Sequence, residues 1–192
     1  MSELNRQKLT IARLWAVERH PYMATALWAS KVVEAPGIGK VATDESWRLY
    51  IDPDLVESYS IPVLGSLLVH HAGHLIREHA GRARNIGVDR RIAKDWALAA
   101  DAEINDDLIS SGLRLPEGSI EPHRMGWATG RMAEEYFHHS RHDEHDEEEE
   151  PDCGSGADGL ARDWDMSGDQ SSGLPPGEQR LIRAQVASDV LR

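Results

Sequence analysis

Three histidines, His70, His71 and His74, fall within a strongly apolar run, and their spacing is the most chemically informative feature of the chain. On an α-helix, residues four apart lie on one face about one turn from each other, so His70 and His74 can aim two imidazoles at one cation. A glutamate directly after the first histidine of such a pair would take a proton from metal-bound water. His71 stands there instead, a ring that is either neutral or cationic.

The segment 70–74 therefore matches the H-E-x-x-H helix pattern of zinc hydrolases with its glutamate replaced. The metal-binding half is kept and the usual base is lost. A neutral His71 can accept a proton, but a nearby dication lowers its basicity. Its reach also differs from that of glutamate, and a misplacement of about 1 Å costs on the order of a hundredfold in rate. Two other readings stay open. His71 and His74, three apart, could be the ligand pair with His70 hydrogen-bonded in the core, or no metal binds and the histidines bond to carboxylates or carbonyls.

These residues need rigid elements to hold them. Ser60 is a good N-cap for a helix over 61–79, whose apolar residues wrap most of its circumference and so predict burial. Buried imidazoles left without partners cost about 1–3 kcal/mol each, so partners or a metal are expected. A second helix over 89–109 carries Ala97, Ala99, Ala100 and Ala102, small enough for close approach. Asp101 and Asn105, four apart on it, share one face. Asp101 could thus reach the metal as a third ligand. Further helices are predicted over 5–20, 22–33 and 178–191, and a β-hairpin over 40–43 and 47–51.

Composition bounds the rest. The 192 residues, 40% hydrophobic, suffice for one domain with a core. The single cysteine, Cys153, argues against both a disulfide framework and a thiolate zinc site within the chain, and fits a cytoplasmic setting. No secretory signal or membrane span is legible. The net charge of −12 is local: residues 143–169 carry −11, leaving −1 elsewhere and no basic stripe for nucleic acid. The chain is therefore expected to divide into a domain over 1–140, an acidic, Gly/Ser-rich disordered linker over 141–174, and a C-terminal helix over 175–192. The histidine-rich run 138–145 and Trp164 fall in or beside that linker, where a second metal site or a short partner motif is less expected than solvated chain.

Several blocks in order carry a resemblance: Leu49-Tyr50-Ile51-Asp52-Pro53, the His70–His74 helix with Arg77 and His79, Trp96-Ala97-Leu98-Ala99-Ala100-Asp101 with Ile104 and Asn105, Gly112-Leu113-Arg114-Leu115-Pro116, and Met132-Ala133-Glu134-Glu135-Tyr136. Over about 22–137 the chain resembles the zincin-like metallopeptidase domain found N-terminal to von Willebrand factor A-like domains in bacterial proteins, often encoded beside MoxR-type AAA+ ATPases. The resemblance implies a zinc ion held by His70, His74 and Asp101 with water in the fourth position. It also implies a peptide or protein substrate, and a von Willebrand factor A-like protein and a MoxR-type ATPase as partners.

The expected fold is α+β and mostly helical, a minimal zincin-like domain with a small hairpin or sheet beside the metal-binding helix. The expected function is that of a zinc-binding metallopeptidase-like protein whose peptide-bond hydrolysis is impaired, with His71 the candidate base of an altered enzyme. The alternative is a non-catalytic, metal-stabilised peptide-binding adaptor in an ATPase-associated assembly.

Overall fold

Asn5 opens the first helix by accepting a hydrogen bond from the Lys8 amide at 2.9 Å, and α1 runs Arg6–Arg19 with Leu9, Ala12 and Ala16 buried. The computed structural model describes residues 3–141, 152–166 and 173–191. Helix α1 lies along α4 (Ile61–Ile76). Gly65 permits that approach, because a Cβ there would sit 2.5 Å from the Trp15 ring.

The single helix expected over 22–33 is replaced by a 3-10 turn, Pro21–Met23, a short α2, Ala24–Ala29, and a strand β1, Lys31–Glu34. The β-branched pair Val32 and Val33 fits an extended chain better than a helix, and pairing satisfies its backbone. The expected hairpin forms from β2 (Val41–Thr43) and β3 (Arg48–Ile51), with Thr43 opposite Leu49. β1 adds in parallel to the other side of β3, so the order β1-β3-β2 leaves β2 on an edge. Asp44 organises the turn between β2 and β3: its carboxylate accepts from the Ser46 and Arg48 amides and from the buried Arg48 guanidinium at 2.7 Å. The Tyr50 hydroxyl donates to the same carboxylate.

α3 (Pro53–Ser58) leads into α4, which Ser60 caps. α4 stops at Ile76, short of the expected 79, because Glu78 takes a left-handed conformation (φ 54°) and turns the chain into α5 (His79–Asn85). α6 spans Ala93–Ser110, beginning four residues later than expected, and α7 spans Ala133–Ser140. Ala99, Ala100 and Ala102 of α6 pack with Trp96, Trp127 and Tyr136 in one of the two hydrophobic clusters among the described residues. The other joins α1, α4 and the sheet.

The structure departs from the linker expected over 141–174 in residues 152–166, which lie against the domain and include α8 (Ser155–Asp158). Charge pairing and close backbone approach hold them there. Lys40 and Arg162 pair with Asp152 at 3.0 and 2.8 Å, Arg162 also with Asp158, and the Trp96 indole donates to the Ala157 carbonyl at 2.9 Å. Trp164 packs edge-on against Tyr50. His142 and His145 of the histidine-rich run lie outside the described residues, as do the other residues of 142–151 and 167–172. α9 (Pro176–Val190) returns to the core through Val186, while the Arg183 guanidinium donates to the Leu75 carbonyl at the end of α4. Among the described residues, no helix is long and apolar enough to cross a membrane.

Candidate metal centre

α4 and α6 bring three of the expected site residues together. His70 and His74, one turn apart on α4, place their Nε2 atoms 3.1 Å from each other. Asp101 of α6 reaches both, its Oδ1 lying 3.5 Å from His70 Nε2 and 3.2 Å from His74 Nε2. The helices approach closely because Gly73 faces Ile104, whose side chain would stand 3.2 Å from a Cβ at that position. All three ligand-type side chains are buried.

A fourth donor is present that the sequence argument excluded. Cys153 Sγ lies 3.4 Å from His70 Nε2 and 3.6 Å from Asp101 Oδ1. The four candidate donor atoms of His70, His74, Asp101 and Cys153 all fall within 4.8 Å of one another. A lone cysteine cannot build an all-thiolate site, but it can complete a mixed one. Its only local signal was its place between Asp152 and Gly154, a break in the acidic run.

The outer ring nitrogens are engaged as well. His70 Nδ1 is 2.8 Å from Asn105 Oδ1, and the Asn105 amide nitrogen donates to the Ile120 carbonyl at 2.9 Å. That second bond turns the amide oxygen toward His70, so His70 Nδ1 is the donor. His74 Nδ1 is 2.9 Å from His79 Nδ1, and His79 Nε2 is 3.4 Å from Glu103 Oε2. Burial works to raise Glu103, but His79 and Arg82 outweigh it and hold its carboxyl well below the usual range. Glu103 is therefore an anion, and the nitrogen of His79 facing it carries a proton. Burial lowers His79, with Glu103 opposing, and brings His74 down to about 3, so both rings are neutral near pH 7. His79 Nδ1 must then accept, His74 Nδ1 must donate, and His74 Nε2 is left as a bare lone pair aimed at His70 and Asp101.

Burial tends to raise the Asp101 carboxyl, while the facing His70 and His74 rings act to lower it. The Cys153 thiol is pushed up by burial and by the Asp101 charge. Glu103, two residues from Asp101 on α6, does not reach the donor cluster. It acts through His79 and is itself gripped by Arg77, Arg82 and the Ala133 amide.

His71 sits beside the cluster without belonging to it. Its ring centroid is 5.2 Å from that of His70 and 6.3 Å from that of His74, and its Nδ1 is buried with no hydrogen-bond partner. Burial, then His70 and His74, push its pKa well below that of a free imidazole, so the ring is neutral. It lines two spaces. One is a small void among Arg13, Leu27, Leu49 and Leu68. The other is a cleft of about 220 Å³ that also exposes His70, Asp101, Asn105 and Cys153 between β2, Tyr59 and the loop over 115–120.

No curated protein and no solved structure matches the chain. One family model, described as "Putative metallopeptidase domain", matches residues 4–189. With that match spanning nearly the whole chain around the His70–His74–Asp101 cluster, the protein belongs to this metallopeptidase-like family.

Proposed function

We propose that the protein is a zinc-binding metallopeptidase-like domain in which His70, His74 and Asp101 hold the ion and in which peptide-bond hydrolysis is impaired by His71. The observation that carries this reading is the pair of Nε2 atoms 3.1 Å apart beside the Asp101 carboxylate, with the opposite nitrogen of each ring held by Asn105 or by His79. Two lone pairs at that separation repel unless a cation lies between them. A tetrahedral ion with bonds of about 2.0–2.3 Å needs donor atoms roughly 3.3–3.8 Å apart. The separations among His70, His74 and Asp101, 3.1, 3.2 and 3.5 Å, lie close to that range. Two imidazoles with a carboxylate suit zinc better than the hard, all-oxygen cations.

Zinc in such a site polarises a carbonyl and lowers the pKa of bound water. The chain's own groups supply orientation: Asn105 and His79 fix the two ligand rings, and the cleft beside β2 reaches His70 and Asp101. They supply no strong general base, because burial, His70 and His74 lower the basicity of His71 and its ring lies outside the donor cluster. The alternative is a non-catalytic adaptor stabilised by the same metal, with a peptide or protein ligand and an association with a von Willebrand factor A-like protein and a MoxR-type ATPase.

The test is metal content and peptide hydrolysis of the purified protein, His71→Glu and His74→Ala, with zinc added. One zinc per chain above the His74→Ala background, with hydrolysis weak in the native protein and raised in His71→Glu, supports the proposal. Equal zinc in the native protein and His74→Ala overturns it. Full hydrolysis by the native protein that His71→Glu lowers would instead make His71 the base of an altered enzyme.

A further inference from the structure

We propose that Cys153 is the fourth metal ligand, delivered by a strap, residues 152–158, that occupies the open edge of β2 and closes the coordination position otherwise left to water. The inference rests on the metal reading above and adds to it a closed state of the site.

One main-chain bond ties the strap to the sheet edge. The Thr43 amide on the edge strand donates to the Cys153 carbonyl at 2.8 Å, the type of main-chain bond by which an extended peptide joins a sheet edge. Glycines make the approach possible. A Cβ at Gly154 would stand 2.4 Å from the Thr43 carbonyl oxygen, and its φ of 86° is itself a conformation that favours glycine. A Cβ at Gly156 would stand 2.5 Å from Thr43 Oγ1. Asp152, one residue before the cysteine, is tied to Lys40 and Arg162 at 3.0 and 2.8 Å. These contacts bring Sγ to 3.4 Å from His70 Nε2 and 3.6 Å from Asp101 Oδ1, near the edge lengths of a tetrahedron with one sulfur corner.

On metal binding the thiol proton passes to solvent and the sulfur binds as thiolate. Sites with four protein ligands are the closed, structural kind, while hydrolytic sites keep one position for water. The strap therefore holds the site closed and stands where a peptide would add to the β2 edge. Releasing it would open the coordination position and the sheet edge together.

Cobalt(II) in place of zinc gives the readout, because thiolate-to-cobalt charge transfer absorbs in the near ultraviolet and the chain has a single cysteine. The full-length protein, Cys153→Ser and His74→Ala are titrated with cobalt, with circular dichroism confirming that each is folded. The expected result is a charge-transfer band in the native protein that is lost in both variants, while Cys153→Ser still binds one cobalt above the His74→Ala background. A thiol-reactive disulfide reagent gives a second measurement: cobalt should protect Cys153 in the native protein and leave it reactive in His74→Ala. Cobalt bound without the band, a band that survives Cys153→Ser, or thiol reactivity unchanged by cobalt overturns the strap ligand while leaving the three-residue site standing. Failure of the native protein to bind cobalt above the His74→Ala background overturns both.

Discussion

The Nδ1 atoms of His74 and His79 lie 2.9 Å apart, and that contact links a candidate metal ligand to the Glu103 carboxylate through one intervening imidazole. Glu103 fixes the proton on His79, His79 fixes the proton on His74, and the nitrogen of His74 that faces the cluster is thereby kept free to bind. Removing either outer partner should weaken the site without touching a ligand. His79→Phe and Glu103→Gln are expected to lower zinc affinity by about 10- to 100-fold in chelator competition. Unchanged affinity in both would show that the relay does not hold His74.

Asn105 does the same for His70. Asn105→Leu keeps the volume but removes the acceptor at 2.8 Å, and should lower affinity over a similar range of about 10- to 100-fold. Asn105→Asp keeps an acceptor there and should retain most of the binding. Competition titration of the two variants separates loss of the hydrogen bond from loss of packing.

Metal removal should destabilise the fold. A ligand present at about a thousand times its dissociation constant stabilises the native state by about 4 kcal/mol. Chelator should therefore lower the melting temperature of the native protein. His74→Ala should show no such difference. Identical melting curves with and without chelator in the native protein would count against a site that spans α4 and α6.

His71 carries a buried ring nitrogen with no partner, a cost of about 1–3 kcal/mol in a folded protein. His71→Phe, apolar and of similar shape, is expected to be neutral or stabilising by up to about 1 kcal/mol in urea unfolding and to keep its zinc. The bulk is tolerable only if the void lined by Leu27, Leu49 and Leu68 accepts the ring. Loss of zinc in this variant would return His71 to the ligand set and reopen the His71/His74 pair.

Stability should fall in alkali. Burial raises Tyr136 to about 12 and pushes Tyr50 still higher, each also disfavoured as phenolate by a nearby aspartate. Below pH 10 both states keep the phenolic protons and these groups contribute no pH dependence. Above it the unfolded chain loses them while the native state holds them, so stability declines as pH rises from about 10 toward 12. Tyr136→Phe should flatten part of that slope, as followed by unfolding midpoints and tyrosinate absorbance. An unchanged slope would show that Tyr136 ionises as freely in the native state as in the unfolded chain.

What the sequence determined by itself was local. The four-residue spacing of His70 and His74, and of Asp101 and Asn105, sets those pairs on single helix faces whatever the rest of the chain does, because helix geometry alone relates them. The apolar circumference of α4 and the alanines of α6 likewise made their burial and close packing readable, and the hairpin of β2 and β3 followed from alternation and a turn. β1 was hidden because a short β-branched stretch after a helix fits either pattern until a parallel partner is found. Tertiary structure decided the rest. Nothing in local spacing says that the left-handed turn at Glu78 brings the His79 ring back onto His74, or that Glu103, two residues from Asp101, meets that ring from another helix. Cys153, 52 positions beyond Asp101, reaches the cluster only because the glycines beside it let the backbone lie against an edge strand. Contacts of that kind depend on how separate elements pack, and the periodicity of a single element carries no record of them.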